Sequence, residues 1–149
     1  MKTIVVLRHA HRNSTFQQED NDLSERGQEQ VSDLVEDYLE GLMPSGNQFL
    51  SSPKKRCIQT LQPLAEVAKK DLEVFRPLDE QTSAEGKSDF LQRIESLANN
   101  LKQRPGVTYI CTHGDVIPEL LNHLCGFHID ISKGDYLIIE NDGESWVPR

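Results

Sequence analysis

The sequence lacks the features that mark several protein classes. It has only three cysteines and no CxxC pair, so we expect neither a disulfide framework nor a cysteine zinc site. The apolar run at residues 3–7 (TIVVL) leads directly into charged residues and is too short for a membrane span or a signal-peptide core. We therefore expect a cytoplasmic protein with reduced thiols and no membrane partner.

Positive charge is also scarce. The chain has 16 Lys and Arg against 24 Asp and Glu, a net charge of −8. A surface of this sign repels phosphate polymers and anionic lipid headgroups. No nucleic-acid partner is therefore expected.

The hydrophobic pattern indicates a layered α/β fold. Apolar runs of strand length alternate with helical periods, a pattern typical of a largely parallel sheet. At 149 residues, one domain over residues 1–149 is expected. Residues 3–7 should form an interior strand, because they are apolar on both faces. Further strands are expected at 48–51, 72–75, 107–112 and 134–140, the last with a hairpin partner at 145–147, and helices at 26–40, 53–69, 90–101 and 119–124.

Histidines and cations follow the ends of three predicted strands. Ligands of open α/β sheets bind beyond the carboxyl ends of the strands, where this sequence places residues 8–12 (RHAHR), 51–56 (SSPKKR) and 112–115 (THGD). Guanidinium groups match phosphate oxygens. A neutral imidazole can attack phosphorus, and nearby guanidinium charge lowers its pKa below about 6.5. The pattern predicts covalent phosphoryl transfer without a metal.

Four blocks of the chain together resemble a known family. Residues 7–10 (LRHA), 22–30 (DLSERGQEQ), 51–60 (SSPKKRCIQT) and 112–115 (THGD) resemble, in order, the histidine phosphatase (phosphoglycerate mutase-like) superfamily. The compact length is most similar to that of the short bacterial phosphohistidine phosphatases. The resemblance implies a three-layer α/β/α sandwich with a mixed, mostly parallel central sheet. It also implies that His9 becomes phosphorylated, that Arg8, Arg56 and His113 complete the phosphate pocket, and that no cofactor takes part.

Three points concern single residues: the residue after His9, the proton donor and a further phosphate ligand. Ala10 stands where the family usually has glycine, so a sharp turn with positive φ is less accessible there and the pocket is expected to be reshaped. Residues 78–80 (LDE) and 85–86 (EG) resemble the stretch that carries the proton donor in family members. The resemblance implies Glu85 as the donor, with Glu80 as the second choice. Asp115 is a third candidate, which otherwise caps the following helix. Asn13 is a further candidate for phosphate binding.

The predicted function is hydrolysis of a phosphomonoester or a phosphohistidine. The substrate would be a phosphorylated small molecule or a phosphorylated protein side chain, since the chain lacks the long insertions that enclose a sugar phosphate in the mutases. Three alternatives remain: mutase-type transfer on a small sugar phosphate, a non-catalytic phosphate-binding module, or a metal site built from His9, His11, His113 and Asp115. The sequence does not indicate the oligomeric state.

Overall fold

The computed structural model describes residues 2–14 and 20–149. Within this part the chain forms six strands that share one sheet. The strands are β1 (Thr3–Arg8), β2 (Gln48–Ser51), β3 (Leu72–Val74), β4 (Val107–Thr112), β5 (Tyr136–Asn141) and β6 (Trp146–Pro148). The helices are α1 (Glu25–Leu39), α2 (Lys55–Val67), α3 (Lys87–Lys102) and α4 (Val116–Cys125), with a short 3-10 helix at Arg76–Leu78.

The sheet is mixed and mostly parallel. Its strand order is β3-β2-β4-β1-β5-β6, and the β1–β4, β2–β4 and β2–β3 pairs are parallel. Strand β5 runs antiparallel to both β1 and β6. The interior position predicted for the first strand and the closing hairpin are both confirmed. No helix in the described residues is long and apolar enough to span a bilayer.

Strand β1 shows why helices cover both faces of the sheet. Its side chains alternate between two cores: Ile4 and Val6 pack with α3 and α4, while Val5 and Leu7 pack with α1 and α2. All four side chains are buried, and each contributes about 1.5–3 kcal/mol by leaving water. The sandwich of helices, sheet and helices predicted from the family resemblance is confirmed.

The parallel register positions the ends of the strands. Arg8 pairs with Thr112 across β1 and β4, and the N–H of His9 donates to the Thr112 carbonyl at 3.2 Å. The two loops that carry His9 and His113 therefore leave the sheet side by side. Strand β2 pairs with β4 on the other side, which brings Ser52 to the same edge.

Two helix starts show how local sequence acts. Ser24 precedes α1, and its Oγ accepts the Gly27 N–H at 3.1 Å, so the predicted cap is confirmed. Helix α2 begins at Lys55 rather than at Pro53 as predicted, because Lys54 keeps an extended backbone with ψ of 139°.

Candidate active site

The geometry around His9 leaves one of its ring nitrogens free to act as a nucleophile. His9 follows β1 and is buried. Its Nδ1 lies 2.8 Å from the Ala10 carbonyl oxygen, which can only accept, so Nδ1 carries the proton. The lone pair of the neutral ring is then on Nε2. Burial, opposed by the Ala10 hydrogen bond and aided by the charges of Arg56 and Arg8, lowers the pKa of His9 to about 4, so the ring is neutral near neutral pH.

A second imidazole faces the first. His113 follows β4, and the centroids of the His9 and His113 rings are 5.5 Å apart. Burial, followed by the charge of Arg56, lowers the pKa of His113 to about 2. Its Nδ1 lies 3.3 Å from Arg56 Nη2, and its Nε2 lies 2.7 Å from Ser52 Oγ. Both imidazoles at this site are therefore neutral.

The two predicted arginines reach the same place from different elements. Arg56 lies in the first turn of α2, is 1% exposed, and donates to Glu80 Oε2 at 2.7 Å. The Arg8 guanidinium packs closely against Gly114. A Cβ added to this glycine would lie 2.7 Å from Arg8 Nη2, so only glycine leaves room for the arginine. The buried Nε of Arg8 has no hydrogen-bond partner among the described residues. A buried donor of this kind is suited to a bound anion.

The site concentrates positive charge in an acidic chain. Besides the two arginines, Lys133 lies close enough to lower the pKa of His9, and Lys54 and Arg12 lower the pKa of His113. Five cations thus surround two neutral imidazoles, although the chain carries a net charge of −8. This electrostatic arrangement suits a phosphoryl group, as the sequence predicted.

The sequence also matches a family profile over its first half. Residues 4–83 match the histidine phosphatase superfamily (branch 1), a range that contains Arg8, His9 and Arg56. The chain belongs to the histidine phosphatase superfamily.

One curated relative supports this assignment, and two solved structures share the fold. The 8-oxo-(d)GTP phosphatase of Mycolicibacterium smegmatis (strain ATCC 700084 / mc(2)155) is 33% identical over 129 residues, which cover 83% of this chain. The chain spans only 38% of that relative's length. The alpha-ribazole phosphatase from Shigella flexneri superposes with a TM-score of 0.83 at 18% identity, covering 99% of this chain and 94% of the other. The protein histidine phosphatase SixA, complexed with tungstate, gives a TM-score of 0.73 at 16% identity with the same coverage.

Glu85, the predicted proton donor, forms an ion pair with Arg93 rather than with a residue of the phosphate pocket. Both carboxylate oxygens of Glu85 accept from Arg93, at 2.9 Å from Nε and 2.8 Å from Nη2. The hydrogen bonds from Arg93 lower the pKa of Glu85, which keeps it ionised. Glu80, the second choice, instead places Oε2 2.7 Å from Arg56 and 3.8 Å from His113 Nδ1. Of the two glutamates, Glu80 is therefore the one that lies beside Arg56 and His113.

Two aspartates differ from the sequence prediction: Asp79 lies at the site, and Asp115 does not cap α4. Asp79 Oδ1 lies 3.9 Å from both His113 Nε2 and Lys54 Nζ, and burial raises the pKa of this carboxyl. The signal that could have identified it is its place next to Glu80. Asp115 occupies the N-cap position of α4 but makes no cap hydrogen bond, because its carboxylate accepts the Gln81 N–H at 2.9 Å.

Ala10 does not need the positive φ that a glycine would allow at this position. Among the described residues Lys69 is the only non-glycine with positive φ, so Ala10 has an ordinary backbone conformation. Its N–H donates to Thr60 Oγ1 at 2.9 Å, and its methyl group packs with Leu23 and Val31. The alanine therefore fits this loop without a left-handed turn.

Asn13 lies in the loop after β1, and its phosphate contact stays a prediction. Its side chain is exposed, and its backbone N–H donates to the Asp22 carbonyl at 2.8 Å. Its own carbonyl accepts from Asn21 Nδ2 at 2.5 Å. These bonds fix the path of the loop.

The alternative metal site does not form. Within residues 2–14 and 20–149, no group of three or more His, Cys, Asp or Glu side chains is placed to hold a metal ion. His9 Nδ1 lies on the Ala10 carbonyl, and His11 Nδ1 lies 2.7 Å from Ser24 Oγ. His9 and His11 are therefore both engaged in hydrogen bonds within the protein.

Burial of the two neutral imidazoles predicts that the protein loses stability in mild acid. The unfolded chain protonates histidine near pH 6.5, about the ordinary value, whereas the folded pKa values are about 4 for His9 and about 2 for His113. Below about pH 6.5 the unfolded state binds more protons, so the free energy of unfolding falls as pH falls. The two groups together give a slope of up to about 2.7 kcal/mol per pH unit. Urea unfolding at several pH values between about pH 7 and about pH 5 measures how the free energy of unfolding changes with pH.

The matched control for this prediction is His9→Gln, in which only His113 remains to contribute. Its slope should be about half that of the wild type. Asp79 acts in the opposite direction, since its pKa is raised by burial. A free energy of unfolding that stays constant over this pH range would contradict the prediction.

Proposed function

We propose that the chain is a phosphatase that passes a phosphoryl group through His9. The observation that carries the proposal is the lone pair on His9 Nε2, fixed by the 2.8 Å hydrogen bond of Nδ1 to Ala10 and surrounded by Arg8, Arg56 and His113. In the first step Nε2 bonds to phosphorus while the bond from phosphorus to the leaving group breaks. In the second step water attacks the phosphohistidine, the P–N bond breaks, and phosphate leaves. No step needs a metal ion.

The cations supply the electrostatic part of this mechanism. Charge in phosphoryl transfer spreads over the three equatorial oxygens. Arg8 and Arg56 carry permanent charge and forked donors, and Arg56 is almost fully buried. Donors held in place in a buried site stabilise this charge more strongly than water does.

Glu80 is the proposed proton donor to the leaving oxygen. It contacts Arg56 and His113, which Glu85 does not, although both glutamates line a surface groove of about 260 Å³ with Asp79 and Arg93. A leaving group in this groove would be next to the Glu80 carboxyl. An imidazole leaving group needs less help from an acid than an alkoxide does, so the Glu80 carboxyl matters most for phosphomonoesters.

The proposed substrates are therefore phosphohistidine in a protein and phosphomonoesters. Two of the similar structures support this range by name, since one is an alpha-ribazole phosphatase and the other a protein histidine phosphatase. We also propose that residues 1–149 form one domain and act in the cytoplasm.

The test is phosphate release from a phosphohistidine peptide and a panel of phosphomonoesters in the presence of a chelator. We expect release to continue, with a radiolabelled phosphoryl group on the protein that is labile in acid and stable in base. Phosphate release without a labelled protein would contradict the covalent path. Transfer of the label to a sugar would indicate the mutase alternative, and binding without turnover would indicate the non-catalytic module.

Glu80 and Glu85 can be distinguished by their glutamine variants. Glu80→Gln should lower kcat/KM for an alkyl phosphate by about 100-fold, because an alkoxide needs a proton to depart. The loss should be much smaller for a phosphohistidine peptide. Initial rates with the two substrates measure the difference.

The control is Glu85→Gln, which removes one partner of Arg93 and no group at the phosphate pocket. It should keep kcat/KM within about threefold for both substrates. A large loss in Glu85→Gln with none in Glu80→Gln would restore the original choice of donor.

A further inference from the structure

The two nitrogens of His113 face different surroundings. Nδ1 faces Arg56 Nη2 at 3.3 Å and Glu80 Oε2 at 3.8 Å. Nε2 faces Ser52 Oγ at 2.7 Å and Cys57 Sγ at 3.6 Å. A guanidinium has donors only, so the contact with Arg56 requires an unprotonated Nδ1. The proton of the neutral ring is therefore on Nε2 and is donated to Ser52 Oγ.

A bound phosphate requires a proton on His113 Nδ1, whereas the contact with Arg56 requires this nitrogen to be unprotonated. Phosphate oxygens are acceptors, so an anion between Arg56 and His113 can bond to Nδ1 only when that nitrogen carries a proton. A second proton on the ring would create a buried cation beside Arg56, which is costly. Transfer of the proton from Nε2 to Nδ1 avoids the charge, but it leaves a buried lone pair on Nε2 that needs a donor.

Ser52 can supply that donor. It is fully buried, and a hydroxyl can both accept and donate. Its Oγ also accepts the Lys54 N–H at 3.3 Å. Among the described residues, His113 Nε2 is the one group that can accept the Ser52 hydroxyl hydrogen, and it can do so only in the tautomer in which Nε2 has no proton. Donation to Nε2 would therefore complete the hydrogen bonding of both groups.

We propose that Ser52 is a positioning residue that lets His113 exchange tautomers when an anion enters the phosphate pocket. Ser52 Oγ accepts from Nε2–H in the arrangement seen here and donates to Nε2 once Nδ1 donates to phosphate. Nδ1 takes up one proton from solvent and Nε2 returns one, so the ring stays neutral. The inference rests on the proposed function in placing the anion at His113.

The test is a titration of the ¹⁵N-histidine-labelled protein with inorganic phosphate, followed by two-bond ¹H–¹⁵N spectra that report which ring nitrogen is protonated. His113 signals are assigned by their loss in His113→Gln. In the wild type we expect the proton on Nε2 before phosphate and on Nδ1 at saturation. In Ser52→Ala we expect no exchange and an affinity for phosphate about tenfold weaker.

Two further variants separate the hydroxyl of Ser52 from its packing. Ser52→Thr keeps a hydroxyl and should restore the exchange. Ser51→Ala is the matched control, because the Ser51 hydroxyl donates to the Ser52 carbonyl at 2.8 Å rather than to His113. It should behave as the wild type does.

The wild-type spectra decide the inference even if a variant does not fold. Phosphate binding with the proton still on Nε2, or with both nitrogens protonated, would overturn it and leave the proposed function standing. Exchange that persists in a folded Ser52→Ala would also overturn it. Phosphate that perturbs neither His9 nor His113 would overturn the proposed function together with the inference.

Discussion

His9→Ala should lower kcat for phosphate release by about 10⁴-fold or more, a loss on the scale seen when an enzyme loses its nucleophile. The variant removes the Nε2 lone pair, while Arg8 and Arg56 remain to bind the anion. The radiolabelled phosphoprotein should disappear with the activity. Steady-state phosphate release and acid lability of the label measure the two effects, and the affinity for inorganic phosphate should change far less than kcat.

The matched control is His128→Ala, since His128 is an exposed histidine whose Nε2 lies 3.5 Å from Glu119 and away from the site residues. It should keep full activity. A rate within tenfold of the wild type in His9→Ala would end the covalent mechanism, and it would then favour direct attack of water on a phosphate held by the arginines.

Gly27→Ala should destabilise the protein by about 3 kcal/mol or more. A Cβ on Gly27 would lie 2.0 Å from the His11 carbonyl oxygen, and that oxygen accepts from the Ser24 N–H at 3.0 Å and the Ser24 hydroxyl at 3.1 Å. The carbonyl cannot move away without breaking these bonds. Because alanine is ordinarily favoured over glycine inside a helix by about 1 kcal/mol, the close approach is the reason for glycine here.

Gly27→Ala should also reduce kcat/KM, because His11 and His9 lie in one loop. Urea unfolding gives the stability change, and activity of the folded fraction gives the second effect. Gly86→Ala is the control: its φ is −70° and nothing lies within 4 Å of an added Cβ. Because Gly86 is the N-cap of α3, where alanine is less favoured than glycine, the loss of stability should be about 1 kcal/mol or less. If Gly27→Ala and Gly86→Ala had equal free energies of unfolding, the loop after β1 would be able to move away from the added methyl group, and the prediction would be wrong.

The residue pattern alone predicts the sheet edge and the four groups that gather there. The continuous apolar run at residues 3–7 predicts β1 as an interior strand, because strands covered on both faces have that pattern. Arg8, His9, Arg56 and His113 follow or flank strand ends, and parallel pairing necessarily brings such ends together. These features depend on local pattern and on motif order, which the sequence shows directly.

The surroundings of the two glutamates and of the two imidazoles depend on how the chain packs. The family resemblance predicts Glu85 as the acid, but the sequence does not show that Arg93, on α3, binds its carboxylate. The proton positions on His9 and His113 follow from the Ala10 carbonyl, Arg56 and Ser52. Contacts of this kind depend on distances of 2.7–3.3 Å, many of them between residues far apart in the chain. A sequence carries residue types and spacing, whereas which side chain a carboxylate or an imidazole contacts is settled by how the helices pack on the sheet.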